Sequence, residues 1–219
     1  MRTHIVMHEH TQGTEDPQFS AQGLAEWSEH VEHVLRGIAH ALNNRASAIS
    51  AVIELTRDPE DDPEVTQSIL ATELERLTEL SSVVRCIGMP RGGSEAFAPN
   101  DAVPEALTVL KLHAEQRERV IMIDAQGAPP TRVPRWMFVR ALIALGATAA
   151  PDGDRAATTR LTVVEDGEWL VARAAGNGGA CSRYAGELAR AMGGGPLEGG
   201  GQCGFRIPTL ASLRRREGR

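Results

Sequence analysis

The sequence predicts an α+β chain, with an antiparallel helical hairpin first and an α/β sandwich after it. Three observations carry this. Residues 24–56 hold no proline and repeat apolar residues at three- and four-residue spacing. A second stripe runs through residues 64–87 after a proline-containing break. Beyond the Gly/Pro-rich stretch 88–94, short β-rich runs alternate with helical patterns.

The elements follow in order. Residues 1–20 are polar and irregular, a flexible N-terminal arm. In the first helix Val31, Val34, Leu35, Ile38, Leu42, Ile49, Val52 and Ile53 line one face. The segment Arg57-Asp58-Pro59-Glu60-Asp61-Asp62-Pro63 interrupts it. The second helix places Leu70, Leu77 and Val84 at heptad spacing, with Leu74, Leu80 and Ile87 widening the stripe. One hairpin cannot bury stripes this wide, so residues 21–90 predict a homodimer closed as a four-helix bundle. In the second module, residues 95–213, the patterns predict a helix over 103–118, a strand over 119–124 and an apolar helix over 134–149. A β-hairpin around Asp166-Gly167 (160–165 and 169–173), a helix over 182–192 and a strand over 204–207 complete it.

Composition narrows the function classes. Of 219 residues 42% are hydrophobic and 24% charged, ordinary for a globular chain, while only 4% are aromatic, so the core is aliphatic. A net charge of −6 speaks against a nucleic-acid partner, which needs a concentrated basic surface. Arg214, Arg215 and Arg216 read as a solvated tail. The three cysteines, Cys86, Cys181 and Cys203, lack metal spacing and read as reduced thiols in the cytoplasm. No stretch has the length and apolarity of a signal peptide or a membrane span.

Among candidate chemical groups, His40 leads. At about 100° per residue it lies about 200° around the helix from Ile38, beside His33, Asn44 and Ser47. It is therefore exposed on the flank of the bundle, where a neutral imidazole offers a lone pair near pH 7. Asn44, one turn on, is placed to orient a phosphoryl group or a water. On position alone, a plain surface histidine is the better reading of His40. His8-Glu9-His10 and the pair His30/His33 lack the further ligands a structural metal site needs. His4 and His113 read as surface residues. No Walker loop is present, the only lysine is Lys111, and the glycine run 199–204 precedes a strand, which fails the dinucleotide-binding context.

The run His40-Ala41-Leu42-Asn43-Asn44, followed by Ala46, Ala48 and Ile49, resembles the phosphoacceptor box of two-component histidine kinases. The resemblance extends through nearly the whole chain after residue 20, with the second module ordered like a GHKL-type ATPase domain. Phe97 to Val109 resembles that domain's opening strand and first helix, and Gly193 to Pro208 its closing segment. It implies His40 as phosphoacceptor, Asn44 as its neighbour on the site, and a response-regulator receiver as partner.

The departures from the family pattern are informative. The acidic residue after the phosphoacceptor is Ala41. The metal-binding Asn of the ATPase helix corresponds to Gly146, in Gly146-Ala147-Thr148-Ala149-Ala150. The adenine-binding Asp is missing from Gly176-Asn177-Gly178-Gly179-Ala180, and no room exists for a lid before Ser182. The resemblance thus implies a dimeric phosphotransferase derived from a kinase, without a bound cofactor, facing a receiver that supplies the aspartate and its Mg2+. An ATP-dependent kinase with replaced contacts and a non-catalytic docking module are the alternatives.

Overall fold

The structure, a computed structural model, describes residues 19–55, 63–88, 92–116, 119–149, 158–175, 181–197 and 203–218. Most of the N-terminal arm with its His8-Glu9-His10, the break between the helices, and the glycine runs at 176–180 and 198–202 lie outside these residues.

The fold is α+β, as expected. Helices α1 (Ala21–Leu55) and α2 (Pro63–Gly88) form the hairpin. Arg45 of α1 meets Glu73 of α2, while Arg140 touches both Trp27 near the start of α1 and Ile87 at the end of α2. The two helices therefore run antiparallel. The second module continues β1 (Ser94–Phe97), α3 (Pro99–Leu112), β2 (Val120–Asp124), β3 (Thr131–Pro134), α4 (Arg135–Thr148), β4 (Thr158–Asp166) and β5 (Trp169–Ala175). It ends with α5 (Arg183–Ala191), β6 (Gly195–Pro196), β7 (Cys203–Pro208) and α6 (Leu210–Glu217).

The main sheet has the order β2-β4-β5-β7-β6. Its β2–β4 pair is parallel and the rest antiparallel. A separate two-stranded sheet pairs β1 with β3. Alternation along the strands puts Leu161, Val163, Leu170, Ala172, Phe205 and Ile207 on the core face, where α3, α4 and α5 cover them. Helix α4 is buried along nearly its whole length, which is why its sequence is apolar on all sides.

The hairpin and the second module share one core. Trp27, Val34, Ile38, Leu80, Val83 and Ile87 belong to the same cluster as the residues under the sheet. Arg140, buried on α4, donates to the carbonyls of Cys86 (3.3 Å) and Ile87 (2.8 Å), capping the C-terminus of α2. Its guanidinium also lies 5.0 Å from the Trp27 ring and 5.1 Å from that of Trp136.

Several expectations need correcting. The helix expected over 103–118 is α3, Pro99–Leu112. Pro99 sits in the first turn, where a missing N–H costs nothing, so the start is earlier. His113 takes an extended backbone, and Gln116 turns back to donate to the Ala147 carbonyl, so the end is earlier too. Arg214–Arg216 belong to a helix capped by Thr209, whose side chain accepts from Ser212 N. Arg215 and Arg216 pair with Glu168, and Arg216 also lies over Trp169. Cys181 and Cys203 are joined in a disulfide, because the start of α5 and the start of β7 bring their Cα atoms to 4.9 Å. Sequence spacing alone could not bring them together. Cys86 is the free cysteine, and burial pushes its thiol up to about 11.

Candidate functional site

His40 is exposed on α1, five residues ahead of Arg45. Asn44, one turn later, is also exposed, and its Nδ2 lies 3.3 Å from His40 Nε2. With the amide donating, Nε2 carries the lone pair and Nδ1 the proton, the neutral form of the ring. The two candidate residues are thus brought together on one open helix flank. Ala41 points between the helices, with Arg45 on the same side. Arg45 and Arg76 both bind Glu73, whose carboxylate is almost fully buried, at 3.3 and 2.6 Å. Two guanidinium groups thereby compensate a carboxylate that could not be buried alone.

His33 and His113 behave differently from the sequence expectation. His33 shares the polar face of α1 with His40, yet the turn after α3 covers it. Ala114 N donates to the His33 carbonyl, and Glu115 Oε1 lies 3.6 Å from His33 Nε2. His113 is 1% exposed rather than on the surface. Its ring stacks on His33 at 4.9 Å and meets His30 at 5.6 Å. Neither ring nitrogen of His113 has a hydrogen-bond partner. Burial first, then the neighbouring His30, His33 and Arg119, pushes its pKa down to about 3. His30 is also lowered by burial, against the opposing pull of Glu26 and Glu29. Among the described histidines, His40 is the one that faces solvent. No group of three or more metal-binding side chains converges among the described residues.

The start of α5 is the second notable position. The first N–H groups of a helix attract an anion. Here the anion is Glu26 of α1. Its carboxylate accepts from Ser182 Oγ, from Arg183 N at 2.9 Å and from Tyr184 N at 3.2 Å. Trp27, the next residue, stacks on Tyr184 at 5.0 Å, and Ser20 bonds Glu187. Sequence reading missed this clamp, because nothing in the local pattern joins residues 26 and 182. Gly146, where the sequence resemblance leads one to expect a metal-binding Asn, faces the core. A Cβ there would stand 3.0 Å from Leu110 Cδ1 and 3.5 Å from Leu161 Cδ1.

No described helix is long and apolar enough to cross a membrane.

By sequence, no known family matches the chain, and no curated protein matches it. Among solved structures the chain is similar to the histidine kinase AdeS of Acinetobacter baumannii, at 17% identity and a TM-score of 0.40, covering 78% of this chain and 98% of that one. It is similar to a histidine kinase of Burkholderia phymatum at 13% identity and a TM-score of 0.40, covering 87% and 98%. A third is the histidine kinase ThkA in complex with the response regulator protein TrrA, at 14% identity and a TM-score of 0.41, covering 89% and 68%.

Proposed function

We propose that this chain is a histidine phosphotransferase of a two-component phosphorelay, passing a phosphoryl group between His40 and a receiver aspartate without binding ATP. The observation that carries the reading is the pairing of an exposed His40 with Asn44, at 3.3 Å, within the phosphoacceptor-like box. In the transfer the lone pair of a His40 ring nitrogen attacks phosphorus in line. The bond from phosphorus to the aspartyl oxygen breaks, and the aspartate leaves as a carboxylate. The reverse step regenerates neutral His40. Positioning and charge neutralisation supply most of the rate in such chemistry. No acid following His40 is needed, because the acyl phosphate is already activated.

Two features support a reading without nucleotide. Position 146 packs into the core where a metal ligand would have to face a ligand. The anion-attracting start of α5 is held by the chain's own Glu26. A second copy of the chain is the proposed partner for the apolar side chains that the hairpin leaves open. Leu35 and Leu42 of α1 and Ile69, Leu74 and Val84 of α2 are each between 40% and 65% exposed.

The test is label transfer from phosphorylated receiver domains to wild type, His40→Gln and His33→Ala. Acid-labile label is expected on wild type and His33→Ala and absent from His40→Gln. Titration with magnesium-ATP is expected to be flat, and light scattering to give a dimer. Labelling of His40→Gln, or a micromolar ATP isotherm, rejects the reading.

A further inference from the structure

We infer that the C-terminal end of α3 forms part of the surface that receives the receiver, with Lys111 as the side chain that engages the receiver's acidic rim; this rests on the transfer reading above. A cleft of about 230 Å³ opens where α1, α2 and α3 meet. Ala41 and Arg45 line it from α1, Arg76 and Glu79 from α2, and Thr108 and Lys111 from α3. It begins at the residue next to His40.

The backbone of α3 is fixed at this place. Gly37, one turn before Ala41 on the same face of α1, lies against the Leu112 carbonyl, and His33 accepts from Ala114 N. Lys111, which shares the cleft with Ala41 and Arg45, is therefore held on a backbone that is fixed against α1. Its charge is also uncommitted. Arg45 and Arg76 are held by Glu73, whereas Lys111 is exposed and has no ion pair among the described residues. It is the only lysine in the chain. On a protein of net charge −6 this corner combines three cations with Glu79 and Glu73.

The partner's chemistry complements it. A divalent ion held at a phosphorylated aspartate is bound by one or two carboxylates together with the phosphate oxygens and water. Such a rim faces any group that approaches the phosphorus. A mobile ammonium on a long stem suits a rim contact, which sets encounter and affinity more than chemistry.

The experiment uses the full chain and receiver domains charged with acetyl phosphate. Lys111→Gln should raise the KM for the charged receiver about tenfold with kcat nearly unchanged, as loss of one interfacial charge implies. Lys111→Arg should restore it, and Lys111→Glu should weaken transfer further. The KM of wild type should climb more steeply with salt than that of Lys111→Gln. Binding of the uncharged receiver to His40→Gln should weaken when Lys111→Gln is added, which isolates docking from chemistry. An unchanged KM for Lys111→Gln, with wild type still accepting phosphate, overturns the inference and leaves the transfer reading intact. A fall in kcat that Lys111→Arg does not restore also overturns it, since that marks a structural role. If wild type accepts phosphate from no receiver, both fall together.

Discussion

Gly37 of α1 lies directly against the carbonyl of Leu112 at the end of α3, so close that a Cβ on residue 37 would collide with that oxygen. The obstructing atom is backbone and cannot swing aside. Gly37→Ala must therefore push α1 off α3, at a cost of about 1–3 kcal/mol typical of overpacking. Gly88→Ala is the control, because nothing lies within 4 Å of its Cβ position. Denaturant midpoints should fall for the first variant and hold or rise for the second. Equal midpoints would mean that the two elements do not meet this way.

Removal of the Glu26 carboxylate should loosen the same junction from its other end. Glu26→Ala leaves Ser182 and two helix N–H groups without their acceptor, a loss of about 1–2 kcal/mol for a capping interaction. Hydrogen exchange at Arg183 and Tyr184 should accelerate in this variant and stay slow in wild type. Protection that survives the substitution would show that another group caps α5.

Acid should weaken the fold through the histidine stack. Unfolded His113 takes up a proton near pH 6.5, but the folded ring does so only near pH 3. Between those values the unfolded state binds the extra proton, so stability falls as pH falls. The slope is about 1.4 kcal/mol per pH unit for one histidine, and His30, also lowered, adds to it. The groups facing the stack are Glu26, Glu29, Glu115 and Arg119. Urea denaturation at several pH values between 7.5 and 4.5 should show the slope, and His113→Leu should flatten it by about one proton's worth. A His113→Leu protein with the wild-type slope would place the titration elsewhere.

The disulfide should contribute measurably. It closes a loop with a sequence separation of 22 between Cys181 and Cys203, and a loop of that size is worth about 3 kcal/mol. Cys181→Ser should lower the denaturation midpoint to that of reduced wild type. Alkylation of the oxidised, folded protein should be slow at pH 8, because Cys86 titrates near 11. Rapid modification of two thiols without reductant would show that the bridge is open.

Local pattern made much of this fold legible. Both long helices, α4, the β4–β5 hairpin and α5 follow from periodicity and from punctuation such as Asp166-Gly167. The exposure of His40 and its nearness to Asn44 follow from helix geometry alone. What stayed hidden involves distant parts of the chain. His113 sits in an unremarkable polar run, and only the return of its turn onto α1 buries it beside His33. Glu26 looks like one acid among many until α5 begins beside it. Cys181 and Cys203 reveal their pairing only when β7 runs next to the start of α5. The two-residue strand β6 and the short β3 lack the length for a period to register.

His33 and His40 share the polar face of α1, so helix geometry by itself exposes both and does not decide which one keeps its access to solvent. The decision is made by where α3 stops. Its last residue, Leu112, delivers the turn that roofs His33 and leaves His40 uncovered. One residue more in α3 would rotate that turn by about 100° and advance it about 1.5 Å. Which imidazole of this helix meets solvent is thus set by the length of another.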